Sequence, residues 1–141
     1  MNRVNIVMES LPENISFARV AVTAFIAPLD PTVEEVSDIK TAVSEAVTNA
    51  VIHGGPGQVN LTMASQGNEL SIEISDNGQG IADIEAARQP LFTTMENMER
   101  AGLGFTVMES FMNEVIVESA PGQGTKVTLK KAINQNKASQ E

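Results

Sequence analysis

A long helical segment ending in His53-Gly54-Gly55-Pro56, with two separate glycine loops after it, constrains this chain most. Val36, Ile39, Val43, Ala46, Val47 and Ala50 recur at helical spacing and predict one apolar face. Thr32 and Glu35 are spaced as a capping box at its start, and glycine followed by proline marks its end. The two loops are Asp76-Asn77-Gly78-Gln79-Gly80 and Gly102-Leu103-Gly104-Phe105. A chain of 141 residues has room for one core around such a helix. We expect a single domain over 1–131 and a polar, flexible tail over 132–141.

The flanking elements follow from local pattern. Val4, Ile6 and Met8 alternate with Arg3 and Asn5, which predicts a first strand. Asn14 is the expected N-cap of a helix running toward Ala27, with Ile15, Ala18, Val22, Phe25 and Leu29 as its buried stripe. Strands are expected near Val59–Ala64 and Leu70–Ser75, joined by a turn at Gly67-Asn68. The segment Gln89–Ala101 shows little periodicity, and a helix is expected over Phe105–Met112. Val115–Val117 and Val127–Leu129 close a last hairpin across Pro121-Gly122-Gln123-Gly124. This order predicts an α/β two-layer sandwich, a mixed sheet covered by helices on one face.

Composition narrows the function. Eighteen acidic against nine basic side chains give a net charge of −9, which disfavours direct contact with nucleic acid. The five phenylalanines are the only aromatics, so base-stacking platforms are also disfavoured. With no cysteine, thiol catalysis and thiolate metal sites are excluded. Met1 to Ser10 lacks a basic region followed by an apolar stretch, and Val20 to Leu29 is too short to span a bilayer. A cytoplasmic protein without membrane contact is the expectation.

Glu45 and Asn49 lie four apart, so they neighbour each other on one helix face, expected to be separate from the apolar one. Asn is a mediocre helix former, and its amide oxygen suits magnesium. Glu45 beside it can deprotonate a hydroxyl. A solvated Glu beside an incidental Asn is the alternative. Asp76 at a strand end, followed by Gly78 and Gly80, can hydrogen-bond a planar base, although Asn77-Gly78 also suits a hairpin turn. Gly102-Leu103-Gly104 ahead of a helix can offer amides to phosphate or act as a hinge. Arg100 can neutralise phosphate charge or stand as a surface arginine. His53, the only histidine, is read as a structural cap.

Taken together, Glu45-x-x-x-Asn49-Ala50-x-x-His53-Gly54 resembles the N box of the gyrase, Hsp90, histidine kinase and MutL ATPase superfamily. Asp76-x-Gly78-x-Gly80 and Gly102-x-Gly104 resemble its glycine boxes, and Gly124-Thr125 its final Gly-Thr element. Ser16-Phe17-Ala18-Arg19-Val20, Ser44 to Ala50, Ala87 to Thr94 and Glu114 to Ser119 are similar to the sporulation anti-sigma F factor family. The resemblance implies a Bergerat-type fold and an ATP- and Mg2+-dependent protein serine kinase, expected as a homodimer. Such a protein sequesters a sigma factor and phosphorylates an anti-anti-sigma factor. It implies Glu45 as the base, Asn49 as the magnesium ligand and Asp76 as the reader of the adenine amino group. Gly78, Gly80, Arg100, Gly102, Leu103, Gly104, Phe105 and Thr125 would complete the nucleotide site. Residues 89–104 would form a lid over the phosphates, and Arg19 would contact both protein partners.

Three departures stand out. The loop Gly54-Gly55-Pro56-Gly57 is short, and Ile15 and Met95 occupy positions where Glu and Lys are expected. The Met95 change removes a cation from the phosphate side of the lid. A non-catalytic, nucleotide-gated sequestering protein and a stress-response anti-sigma kinase with other partners are the competing readings.

Overall fold

The computed structural model describes residues 1–78 and 96–134. Its elements are β1 (Asn2–Glu9), α1 (Glu13–Ile26), a 3-10 turn at Ala27–Leu29, α2 (Val33–Gly54), β2 (Gln58–Gln66) and β3 (Glu69–Asp76). After the glycine loop come α3 (Glu96–Phe111), β4 (Glu114–Ser119) and β5 (Thr125–Ala132). The sheet order is β1-β2-β3-β5-β4. A mixed sheet was expected, yet every neighbouring pair is antiparallel. The hairpins β2–β3 and β4–β5 enforce this locally, and β5 returns antiparallel beside β3.

Register explains which side chains meet the helices. Val4, Ile6 and Met8 face Met63, Leu61 and Val59 across β1 and β2. Ile72 and Ile74 lie opposite Met63 and Leu61 on one side, and Leu129 and Val127 on the other. Alternation therefore gathers the branched side chains on one face, where Leu61, Ile72, Ile74 and Leu129 are fully buried. α2 packs against both α1 and α3, so it runs between them over this face. Ala18, Val22, Phe25 and Ile26 of α1 are buried, as are Ile39, Ala42, Val43, Ala46 and Val47 of α2. Each large aliphatic so buried contributes about 1.5–3 kcal/mol.

Local signals at the helix ends are partly as expected. Thr32 and Glu35 form the reciprocal capping box, with bonds of 2.8 and 3.0 Å. Asn14, expected as an N-cap, lies inside α1 instead and donates its Nδ2 to the Glu9 carbonyl at 2.8 Å. Pro12 precedes the helix without a side-chain cap. The expected start of the last helix is also corrected: α3 begins at Glu96, ahead of the glycines. At the C-terminal end the boundary moves. Residues 132 onward were expected as tail, but β5 includes Ala132 and Ile133 is fully buried. The Asn134 N–H donates to Glu35 Oε2 at 2.8 Å, so this end is tied to the start of α2.

Candidate functional site

The C-terminal half of α2 carries the site. Glu45 and Asn49 were expected on a face separate from the apolar one, yet Asn49 is only 8% exposed and Glu45 is partly buried. The correction has a steric cause, since α3 lies over them. A Cβ on Gly104 would stand 3.0 Å from Asn49 Nδ2 and 3.2 Å from Glu45 Oε2. The acid and the amide thus converge on one point beneath a glycine. Asn49 Nδ2 and Oδ1 are buried and have no hydrogen-bond partner among the described residues. Leaving such an amide unpaired costs about 1–3 kcal/mol, so the site holds a polar group in readiness for a ligand.

Asp76 ends β3 at the opposite wall. Its Oδ1 accepts the Gly78 N–H at 2.8 Å. Burial raises its carboxyl above the ordinary aspartate value, although the N–H groups of Gly78 and Thr125 and the charge of His53 oppose the rise. Glycines let the backbone close in. A Cβ on Gly54 would stand 2.8 Å from Asp76 Cγ, one on Gly78 would collide with Gly54, and one on Gly124 would collide with the Asp76 carbonyl. Gly124 has φ +77, a second reason for glycine there.

Between these walls lies a cavity of about 20 Å3, lined by Ala46, Asn49, His53, Asp76, Phe105 and Thr125 among others. That volume accommodates roughly one water. A purine needs more, and the fully buried Phe105 borders this space. Thr125 pairs with Asp76 across β3 and β5, and its Oγ1 lies 2.8 Å from Ser119 Oγ.

The remaining expected residues divide. Gly102, Leu103, Gly104 and Phe105 lie inside α3, where main-chain amides close the helical ladder instead of facing outward. The expected phosphate clamp is therefore not displayed in this conformation. Arg100 lies in the opening turns of α3. Gly80 and the lid stretch 89–95 lie outside the described residues. Arg19 does not line this cavity: it lines a separate groove of about 440 Å3 with Val33, Val36, Ser37, Lys40, Thr41 and Ser44. From the residues alone Gly54 and His53 read as a helix stop and a cap, and the resemblance adds them to the N box without assigning them a role. Their contact with Asp76 is long-range, and the glycine-after-histidine pair was its one trace in the sequence.

The comparisons with known proteins agree with this geometry. The family model of the histidine kinase-like ATPase domain matches residues 8–131. An anti-sigma F factor of Bacillus licheniformis is 50% identical over 97% of this chain and 97% of its own length. The chain belongs to this family. Another anti-sigma F factor, from Thermoanaerobacter sp. (strain X514), is 55% identical over 91% of this chain and 92% of its own. Among solved structures, the RsbU and RsbW domains of a Mycobacterium tuberculosis protein superpose with a TM-score of 0.70 at 19% identity, covering 94% of this chain and 33% of that one. The catalytic domain of histidine kinase ThkA gives 0.59 at 16% identity, covering 94% and 97%. Both establish the fold. Membership in an ATPase domain family implies ATP binding. No helix among the described residues is long and apolar enough to cross a membrane.

Proposed function

We propose that the chain is an anti-sigma factor that sequesters a sporulation sigma factor and, as an ATP- and magnesium-dependent serine kinase, phosphorylates an anti-anti-sigma factor. The convergence of Glu45 and Asn49 beneath Gly104, opposite the pinned carboxylate of Asp76, is the observation that carries this reading. Relatives named anti-sigma F factor supply the regulatory half.

The residues fit such a ligand. Asn49 offers a buried amide oxygen without a protein partner, the hard donor magnesium takes when phosphates and waters complete its shell. No group of three or more His, Asp or Glu side chains capable of holding a metal occurs among the described residues, which agrees with a metal held jointly with phosphates. Asp76, fixed by the Gly78 and Thr125 amides, presents its other oxygen to an amino group. When bound, ATP supplies the phosphoryl group and its magnesium offsets the phosphate charge. Glu45 orients the serine hydroxyl and takes its proton. Gly102 and Gly104 can offer amides only once the opening turns of α3 rearrange, which joins phosphate binding to helix movement.

Arg19 provides the partner surface in this reading, with an otherwise acidic chain favouring partners that carry basic patches. The homodimer and the cytoplasmic setting belong to the same proposal. Incubation with radiolabelled ATP and a candidate anti-anti-sigma protein tests it. Label on serine, lost in Glu45→Ala while ATP still binds, is the expected result. Partner release that needs ATP but transfers no label would favour the non-catalytic reading.

A further inference from the structure

Asp76, Thr125 and Ser119 form one row across the end of the sheet. Thr125 of β5 stands opposite Asp76 of β3 on one side and Ser119 of β4 on the other. By strand alternation all three share the face of the buried Ile74 and Val127, the face that the helices cover. Asp76 and Thr125 line the small cavity of the cleft, whereas Ser119 stands behind Thr125 and does not line it.

Counting protons fixes the direction of this row. A serine hydroxyl has one proton, and a carbonyl oxygen only accepts. Ser119 Oγ lies 2.9 Å from the Gly124 carbonyl, so Ser119 donates there. The 2.8 Å bond between Ser119 Oγ and Thr125 Oγ1 then takes its proton from Thr125. The acceptor that orients Ser119 is itself held in place. Gly124 has φ +77, a Cβ there would collide with the Asp76 carbonyl, and the turn before it is closed by the Gln123 N–H on the Ala120 carbonyl at 3.0 Å.

The consequence falls on the cavity side. With its proton turned back to Ser119, Thr125 Oγ1 shows lone pairs to the cavity, and donating makes that oxygen a stronger acceptor. Asp76 is an acceptor as well, since its Oδ1 takes the Gly78 N–H at 2.8 Å. A group bound between these two must bring protons. The 6-amino group of adenine brings two, and the 6-carbonyl of guanine or hypoxanthine brings none.

We infer that Ser119 is a positioning residue for base recognition: it turns the Thr125 proton away from the cleft, so that the cleft selects a 6-amino purine over a 6-oxo purine. This deepens the nucleotide reading proposed above and rests on it. Ser119 acts through Thr125 alone.

Calorimetric titration with the magnesium complexes of ATP and inosine triphosphate tests the inference in wild type, Ser119→Ala and Ser119→Thr. The two nucleotides differ only at the 6-position and in the N1 proton that goes with it. Wild type prefers ATP. In Ser119→Ala the Thr125 hydroxyl can turn and donate to the 6-carbonyl, so inosine triphosphate binds about fivefold more tightly or better while ATP changes little. Ser119→Thr keeps a hydroxyl in the row and keeps the wild-type ratio. Ser119→Cys, with a weak sulfur acceptor at the same place, shifts the ratio the same way by less and serves should Ser119→Ala not fold. In a Thr125→Val background, Ser119→Ala leaves the ratio unchanged.

An affinity for inosine triphosphate that does not rise on removal of the Ser119 hydroxyl would overturn the inference while the nucleotide site stands. A rise that persists in Thr125→Val would overturn it too, because the effect would not pass through Thr125. A wild type that binds neither nucleotide, or both equally, would overturn the reading of Asp76 as the base reader and the inference with it.

Discussion

A side chain at position 54 cannot coexist with Asp76 where it now stands: a Cβ on Gly54 would meet Asp76 Cγ at 2.8 Å and Oδ1 at 2.9 Å. The end of α2 and the end of β3 are thus packed backbone against carboxylate. Asp76 owes its position to a missing atom as much as to its hydrogen bonds.

Gly54→Ala therefore displaces the carboxylate proposed to read the base. We expect ATP affinity to fall about tenfold or more, the scale of a lost hydrogen bond to a charged group. Discrimination against GTP should fall with it. Calorimetric titration with both nucleotides checks this; an unchanged ATP-to-GTP ratio would separate Gly54 from base reading.

The charge of Asp76 itself opposes folding. Burial is the largest influence on its carboxyl and raises its pKa, despite the opposing amides and His53. The sign follows from linkage: a folded pKa above the unfolded one means that stability is fullest at low pH and declines as pH rises through the folded value. Asp76→Asn removes the buried charge and keeps an oxygen for the Gly78 N–H. Its melting temperature should exceed wild type at neutral pH, with the gain shrinking under acid. Scanning calorimetry at several pH values reads this, and ATP binding should be lost throughout.

Glycine at 104 serves the cleft at the expense of the helix. Inside α3, Gly→Ala normally gains up to about 1 kcal/mol of helix propensity. Here the new Cβ would crowd Asn49 Nδ2 and Glu45 Oε2. Gly104→Ala should stay within about 1 kcal/mol of wild-type stability in urea unfolding while losing magnesium-dependent ATP affinity. Full binding in this variant would show that Gly104 does not shape the site.

The Thr32–Glu35 box supports α2 far from the chemistry. Burial raises the Glu35 carboxyl, but the amides of Thr32 and Asn134, the Thr32 hydroxyl and Lys131 outweigh it and hold its pKa below the usual value. Its stabilising contribution is present above the unfolded pKa and fades as pH falls through the folded one. Thr32→Ala should cost about 1 kcal/mol in urea unfolding at neutral pH, without changing nucleotide affinity.

Much of this was legible in the sequence because the signals are local. Strand alternation in β2 and β3, the capping box and the glycine-proline stop each act within a few residues, and the structure has them where the pattern places them. What escaped the sequence depends on distant partners. Asn49 lies on what looked like a polar face, and only the packing of α3 buries it. Gly102 and Gly104 discourage helix, yet α3 runs through them because Phe105 and Met108 on the same stretch have a core to enter. The sheet was expected to be mixed because strand direction for β5 is set by its neighbour β3, which local pattern does not reveal.

The most direct test of the site is calorimetric titration of wild type and Asn49→Ala with ATP, with and without magnesium. The account predicts that magnesium strengthens binding to wild type and makes little difference to Asn49→Ala, whose fold stays intact. Equal magnesium dependence in both proteins, or no heat with either, would contradict the claim that Glu45, Asn49 and Asp76 form one nucleotide site.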